Sequence, residues 1–472
     1  MNSLEEVMME VYRLDYAEFD APSKHHFSRA HSKAMKEILY PNYSLTMDYR
    51  IEENHVSPKK RILAAVLVIV LALIGTTIGA AAISKLSRKA QRSLDIKENI
   101  IVWGTTWFED GMFYEARNAD GESVLCYYSK EKDRSAVMCG MPECTHRSIL
   151  SPDCGALGGK DTYSRYGYNR IGDKLYYIES TLPDDGTIGA LNFIESDMDG
   201  KNRRTIASIE DTYIPFINDI KYLDGHVLLS YYQNFDMVMN ENTGDLEFVY
   251  LDKYRFYMQW IDILTGEIET LVYREEYDGI GNGTVYENVL YYSYKYHDVP
   301  PTGDLLTPET APPRRGGFYI RDLSTGEEKL YEDMWPFVDS YIHFLPDRII
   351  ADNGNNDKIS VYDPETDSFK DIADHLNGGC ASDGKDAMFA ENTDSKFWTR
   401  YNFETGELTQ VPGYTGYPRV WPNSATIIGN TAWITPDSLP GDQYMRHGYV
   451  DRDDYFAGNF DNLKMIKVVE LQ

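Results

Sequence analysis

A short strand-and-turn pattern recurs along residues 98–472, and it restricts this part of the chain to an all-β fold of repeated units. Each copy has an acidic or glycine-containing turn followed by a short strand rich in apolar and aromatic residues. The copies are marked by Gly111, Lys174, Gly225, Asn288, Arg348, Asp386 and Asn430. Four-stranded units repeating at roughly 40–60 residues are typical of β-propellers. The pattern predicts a β-propeller of about seven four-stranded blades, and six or eight blades also fit the spacing.

A second motif predicts tight hairpin turns inside several of these units. Thr-Gly-Glu begins at Thr265, Thr325 and Thr405, each time between two strand-like segments. Glycine supplies the positive φ angle that such a turn needs. The pair Asp199–Gly200 fills the same position in another unit. Residues Asn99–Thr106 are predicted to add the strand that closes the ring with the last blade, which would remove exposed sheet edges.

A long apolar segment separates the N-terminal region from the repeats. Residues 62–83 form a run of 22 without a charged side chain. A helix of that length rises about 33 Å, which is enough to cross the hydrocarbon core of a bilayer. A cleaved signal peptide begins within the first few residues, whereas about sixty mostly polar residues precede this run. We therefore predict a helical segment at residues 1–60, one membrane-spanning helix at 61–84, a basic linker at 85–97 and a propeller at 98–472.

Basic residues flank both ends of the apolar run, so the positive-inside rule does not fix its orientation. The flanking residues are Lys59, Lys60 and Arg61 before the run, and Lys85, Arg88, Lys89 and Arg92 after it. The N-terminal region is short and helical, whereas the large all-β region carries clustered cysteines. We therefore predict a single-pass protein of the cell membrane with a cytoplasmic N-terminus and an extracytoplasmic propeller.

The acidic character of the propeller region argues against nucleic acid as a partner. The chain has a net charge of −29, to which residues 1–60 contribute −2 and residues 61–97 contribute +5. Residues 98–472 therefore carry −32. A surface of this charge repels nucleic acid and anionic lipid.

The N-terminal region contains two predicted amphipathic helices, and the second carries a motif. Ser28 is a suitable N-cap for this helix, and Pro41 ends it. Its apolar stripe consists of Ala30, Ala34, Met35, Ile38 and Leu39. The stretch HHFSRAHSKAMKEIL, followed by the apolar run, resembles the start of membrane-anchored anti-sigma-factor-like regulators of Firmicutes. The matching residues are His26, Phe27, Ser28, Lys33, Met35, Lys36, Ile38 and Leu39. The resemblance implies that residues 1–60 bind a cytoplasmic sigma factor.

Three of the five cysteines and one histidine lie close together in the sequence. They are Cys139, Cys144, His146 and Cys154. Three sulfurs and one nitrogen make a complete tetrahedral shell for Zn²⁺. Disulfides are the near-equal alternative, in which Cys126 and the clustered cysteines pair two by two and Cys380 is left over. A catalytic cysteine is the weakest interpretation, because the spacing indicates neither an orienting partner nor a cleft.

Two segments of the C-terminal region resemble known propellers. The repeats ILTGEIETLVY and DMDGKNRRTIA are similar to the repeat units of TolB-like and related bacterial β-propellers. The segment CGMPECTH resembles a C-x-x-P-x-C-x-H loop of propeller-like surface proteins of Firmicutes. The first resemblance implies the propeller fold, and the second associates the cysteine cluster with a body of this type without implying any chemistry.

Common catalytic motifs are absent from the sequence, which contains no HExxH, GxSxG, P-loop or GxGxxG. We therefore predict a protein without enzymatic activity. The leading interpretation is a membrane regulator or sensor that binds an unidentified glycan or protein outside the cell and a sigma factor inside. The alternative is a membrane-tethered envelope protein that binds glycan or peptide and has no signalling role.

Overall fold

The computed structural model describes residues 100–469, apart from short internal gaps of which 300–313 is the longest. The predicted N-terminal helical segment, membrane-spanning helix and basic linker all lie outside the described residues. Within the described residues, no helix is long and apolar enough to cross a membrane. Most of the described residues are in β-strands, which confirms the all-β prediction for the C-terminal region.

The strands follow one another in chain order and form six antiparallel sheets. The first sheet contains β1 Ile100–Val102, β2 Thr105–Phe108, β3 Gly111–Arg117, β4 Ser123–Ser129 and β5 Arg134–Val137. The second contains β6 Thr162–Ile171, β7 Lys174–Thr181, β8 Ala190–Asp197 and β9 Arg204–Glu210. The third contains β10 Phe216–Leu223, β11 His226–Met239, β12 Leu246–Asp262, β13 Ile268–Tyr286, β14 Val289–His297, β15 Arg314–Asp322 and β16 Glu328–Tyr331.

The last three sheets have four strands each. The fourth sheet contains β17 Tyr341–Phe344, β18 Ile349–Asn353, β19 Lys358–Asp363 and β20 Ser368–Asp374. The fifth contains β21 Leu376–Ser382, β22 Asp386–Glu391, β23 Phe397–Asn402 and β24 Leu408–Pro412. The sixth contains β25 Ala425–Ile428, β26 Thr431–Ile434, β27 Gly448–Asp451 and β28 Lys464–Met465. A 3₁₀ turn, Pro422–Ser424, precedes β25, and a short helix, α1 Arg452–Phe456, follows β27.

The third sheet consists of two four-stranded units that share one long strand. The first part of β13 pairs with β12, whereas residues 277–286 pair with β14. The described residues therefore contain seven four-stranded antiparallel units, which we call blades 1 to 7. They are β2–β5, β6–β9, β10–β13, β13–β16, β17–β20, β21–β24 and β25–β28. Successive antiparallel meanders of this kind are the building units of a β-propeller.

The hydrophobic core lies between neighbouring blades, which arranges the blades in a ring. Between blades 4 and 5, for example, Phe318 packs against Phe344. The other consecutive blades are joined by clusters of the same kind. A further cluster joins the last blade to the first and places Trp433 against Tyr128. Each blade therefore buries its apolar side chains against two neighbours.

Within the described residues, blades 7 and 1 meet without exchanging a strand. β1 pairs with β2, with Ile100 opposite Trp107, and the described strands of blade 7 all come from residues 425–465. The prediction that Asn99–Thr106 adds a strand to the last blade is therefore wrong. Only two residues separate β1 from β2. A link this short returns the chain directly beside β2, so β1 pairs with the strand that follows it in the sequence.

Direct contacts join blade 7 to blade 1 instead of a shared strand. The Trp433 indole Nε1 donates to the Phe108 carbonyl at 2.8 Å, between residues 325 positions apart in the sequence. The Val469 amide donates to the Tyr114 hydroxyl at 3.1 Å. The junction between blades 7 and 1 therefore depends on packing and on individual hydrogen bonds.

His447 is buried at this junction and is expected to make the stability depend on pH. Its ring lies edge-on to Trp107 at 6.0 Å, and its Nδ1 lies 3.2 Å from Thr435 Oγ1. Burial lowers the pKa of His447 from 6.5 to about 4. Below about pH 6.5 the unfolded chain therefore binds a proton that the folded chain does not. This contribution to stability is complete above the unfolded pKa and is lost as the pH falls towards 4.

We expect His447 to lower the unfolding free energy of the wild-type protein by about 2 kcal/mol when the pH falls from 7.5 to 5.0. The His447→Gln variant has no imidazole to protonate, so its loss over the same range should be smaller by about that amount. Urea denaturation of both chains at the two pH values measures the difference. The same pH dependence in both chains would show that His447 titrates normally in the folded state.

The Thr-Gly-Glu turns share one hydrogen-bonding pattern. In the turn between β12 and β13, the Asp262 carboxylate accepts from the amides of Leu264 and Thr265 at 2.9 and 2.7 Å. Asp322 and Asn402 accept in the same way in the other two turns. The turn glycines have positive φ angles: Gly266 72°, Gly326 76° and Gly406 71°. The predicted hairpin turns are confirmed at all three places.

Candidate metal centre

The four predicted metal ligands come together in one cluster. They lie on the segment that we call the cysteine loop, residues 138–158 between β5 and β6. The ligands are Cys139, Cys144, His146 and Cys154, and all four are buried. Each offers one ligand atom, and these atoms all lie within 4.8 Å of one another. The structure thus brings together every residue that the sequence proposed for the site.

The cysteines do not form the alternative disulfides. All five are in the described part of the chain, and all five are outside any disulfide. Cys126 on β4 and Cys380 on β21 do not belong to the cluster. The Cys154 Sγ lies 3.5 Å from the His146 Nδ1. Three sulfurs and one nitrogen at this spacing could hold a metal ion such as zinc.

Tight turns in the cysteine loop bring the ligands together. The Cys144 amide donates to the Met141 carbonyl at 3.3 Å, and the Cys154 amide donates to the Ser151 carbonyl at 3.0 Å. The His146 amide donates to the Cys144 Sγ at 3.4 Å. His146 itself has a φ of 54°, in the left-handed region that histidine adopts more readily than most residues. Such backbone strain is concentrated at functional positions.

The hairpin turn between β3 and β4 holds the cysteine loop from outside. Asn118 Nδ2 donates to the His146 carbonyl at 2.6 Å. Arg147 forms a bidentate ion pair with Asp120, with both N–O distances at 2.5 Å. The hydrogen bond from Arg147 lowers the pKa of Asp120. Sequence reasoning missed these supporting residues, because nothing in the sequence marks that hairpin as a neighbour of the cluster.

The clustered side chains change one another's protonation. Hydrogen bonds from Cys139 and Cys154 hold the pKa of the Cys144 thiol far below its ordinary value. Hydrogen bonds with Cys139 and Cys144 raise the pKa of Cys154. Burial opposes a charge on His146, but hydrogen bonds to Cys139 and Cys144 outweigh burial and raise its pKa to about 9. The cluster thus favours a thiolate at Cys144, the form of cysteine that binds metal, beside a protonated His146, which must lose its proton when it binds an ion.

The cysteine loop lies directly against blade 2. Gly155 faces the turn between β8 and β9 so closely that an added Cβ would collide with the Asp199 carbonyl. A Cβ on Gly140 would collide with the Asp199 carboxylate. The sequence analysis missed this contact, although the glycine that directly follows both Cys139 and Cys154 indicates a close approach of another part of the chain. A larger residue at Gly155 would collide with backbone and push Cys154 away from blade 2, whereas the Asp199 side chain could move aside for one at Gly140.

Arg165 on β6 joins the end of the cysteine loop to blades 1 and 2. Its Nη2 donates to the carbonyls of Ala156 and Ser123 at 3.0 and 3.2 Å. The same nitrogen lies 3.3 Å from Glu115 Oε1, and the Arg165 side chain is only 2% exposed. One buried cation therefore links the cysteine loop to strands of both blades.

Comparison with known proteins finds similarity of fold only. No protein-family model matches the sequence, and no curated protein matches it either. An oligogalacturonate lyase in complex with manganese is 10% identical over 72% of this chain and 85% of that chain, with a TM-score of 0.44. The β-propeller domain of the Trilobed protease from Pyrococcus furiosus is 11% identical over 80% and 97%, with a TM-score of 0.42. TolB from Acinetobacter baumannii is 14% identical over 75% and 78%, with a TM-score of 0.32.

These similarities correct one prediction from the sequence. TolB and other propeller proteins are among the structural neighbours, in agreement with the TolB-like resemblance of the repeats. The prediction that the chain has no enzymatic activity is contradicted, because the neighbours include a lyase. The absence of common catalytic motifs is therefore no ground for excluding catalysis. At 10–14% identity these similarities show the fold alone, and the reactions of the neighbours are not transferred to this chain.

Proposed function

We propose that this protein is a membrane-anchored regulator or sensor with a seven-bladed extracytoplasmic propeller. Residues 1–60 lie in the cytoplasm, residues 61–84 cross the membrane, and residues 85–97 lead to the propeller. The propeller binds a glycan or a protein outside the cell. The N-terminal segment binds a sigma factor inside.

The position of β1 is the observation that carries this proposal. β1 follows the basic linker and pairs with the edge of β2 that faces away from β3. It also contacts β6 and β10, the first strands of blades 2 and 3, and Ile101 packs against the core cluster between those blades. β1 therefore lies on the inner side of the ring. A ligand at the axial mouth would act on the strand that continues towards the membrane.

The ion of the cysteine loop is proposed to be Zn²⁺ in a structural role. Three cysteine sulfurs and one histidine nitrogen are a common donor set for structural zinc. Four protein ligands fill the tetrahedral shell, so no position remains for a water molecule or a substrate. The ion would therefore hold the cysteine loop in place.

Cross-linking from residues 1–60 of the full-length chain in intact cells tests the signalling part of the proposal. The wild-type chain should capture a sigma factor. Ile38→Asp places a charge on the apolar stripe predicted for the second helix and should abolish the capture. Glu37→Gln changes the neighbouring residue outside that stripe and should preserve it. A wild-type chain that captures no sigma factor would contradict this function and favour the tethered envelope protein.

A further inference from the structure

We propose that the metal centre holds the propeller ring closed by fixing the junction between blades 7 and 1. This inference rests on the zinc site proposed above and gives it a role in the whole ring. The cysteine loop belongs to the first part of the propeller, whereas the junction joins its two ends.

The ligand sulfurs are part of the core cluster that joins the two ends. Cys139, Cys144 and Cys154 belong to the same cluster as Ile428 and Trp433 of blade 7. Three C-terminal residues also pack against it: Ile466, Val468 and Val469. A displacement of the ligands therefore displaces the side chains on which blade 7 and the C-terminal residues pack.

Strand pairing gives blade 7 little additional attachment. Its outermost strand, β28, has two residues. It pairs with β27 at Gly448↔Met465 and Tyr449↔Lys464. The described strands of blade 7 include none from the N-terminal end of the propeller. The junction therefore depends on side-chain packing more than a ring with an exchanged strand would.

The cysteine loop packs on this cluster near its ends, through Met141, Ala156 and Leu157, but its tip does not. Ile149 and Leu150 near its tip are 81% and 61% exposed, so they add little to the core. Between its ends the loop is held by the ligands and by polar contacts of His146 and Arg147 with the β3–β4 hairpin. A loop that has lost its metal is therefore expected to open towards water and uncover one side of the junction.

Hydrogen–deuterium exchange of the full-length chain in detergent, before and after chelation under reducing conditions, tests the proposal. Metal content is measured first. Chelation should raise exchange at least about tenfold in β26, β27 and residues 466–469, because local opening governs protection. The matched control is the junction between blades 4 and 5, represented by β15 and β17, which should change little. Added Zn²⁺ should restore slow exchange, whereas Mg²⁺ should not, since it prefers oxygen ligands.

The remaining outcomes separate the two proposals. A chain without bound metal would overturn both the zinc site and its role in ring closure. A zinc-containing chain in which chelation accelerates exchange only within residues 138–158 would overturn ring closure alone. Exchange that accelerates equally at the junction between blades 7 and 1 and at the junction between blades 4 and 5 would also overturn ring closure, because the metal would then stabilise the fold as a whole.

Discussion

Arg165→Leu is expected to destabilise the propeller by about 3–5 kcal/mol, the usual cost of removing one partner from a buried ion pair. The guanidinium is buried between blades 1 and 2 and lies 3.3 Å from Glu115. Leucine would remove one donor from the carbonyls of Ala156 and Ser123, although the Ala156 carbonyl would keep the Leu125 amide at 2.8 Å. Glu115 would lose its cation and keep the hydrogen bond from the Tyr168 hydroxyl at 2.6 Å. Chemical denaturation followed by tryptophan fluorescence measures the loss.

Arg204→Leu is the matched control for this substitution. Arg204 pairs with Glu195 at 3.0 Å, but its side chain is 63% exposed. Glu195 also keeps a hydrogen bond from the Tyr176 hydroxyl at 2.7 Å. Removing an exposed partner of this kind should change the unfolding free energy by less than about 1 kcal/mol. Equal losses from the two arginine variants would show that Arg165 does not link the blades.

Cys144→Ser is expected to remove the bound metal at ordinary concentrations. Substituting a residue that only supports the ligands already lowers metal affinity about 10–100-fold. Loss of a ligand should therefore weaken binding at least about 100-fold. Metal binding to a structural site also contributes to folding stability, so the variant should unfold at a lower temperature than the wild-type protein. Metal analysis after dialysis and a thermal melt measure the two effects.

Cys380→Ala is the control for this cysteine. Cys380 is also a buried cysteine outside any disulfide, but it lies in the cluster between blades 5 and 6. The variant should keep the full metal content, although the loss of core packing will lower its stability somewhat. Metal retained by Cys144→Ser at the wild-type level would show that Cys144 is not a ligand.

The sequence was most informative where local chemistry decides the structure. Thr265, Thr325 and Thr405 mark turns in which side chains bond to amides two or three residues away, so the hairpins follow from the local residues. The metal site was recognisable for the same reason. All four ligands lie between Cys139 and Cys154, on a single loop.

Features that depend on distant parts of the chain could not be predicted. The junction between Phe108 and Trp433 joins residues 325 positions apart, and no local pattern encodes that distance. The sharing of β13 between two blades was not predicted, because its sequence is typical of a strand along its whole length and does not indicate where its partner changes. The contact of Gly140 and Gly155 with blade 2 became visible only when the β8–β9 turn was placed beside the cysteine loop.

X-ray absorption at the zinc edge, on the purified full-length chain, tests whether four side chains of one loop bind a single Zn²⁺ ion. These side chains are Cys139, Cys144, His146 and Cys154. The spectrum should fit three sulfurs at about 2.3 Å and one nitrogen at about 2.0–2.1 Å, with one zinc per chain. Cys144→Ser should lose this signal, and Cys380→Ala should keep it. A chain without zinc, with its clustered cysteines oxidised to S–S bonds of about 2.05 Å, would contradict the account.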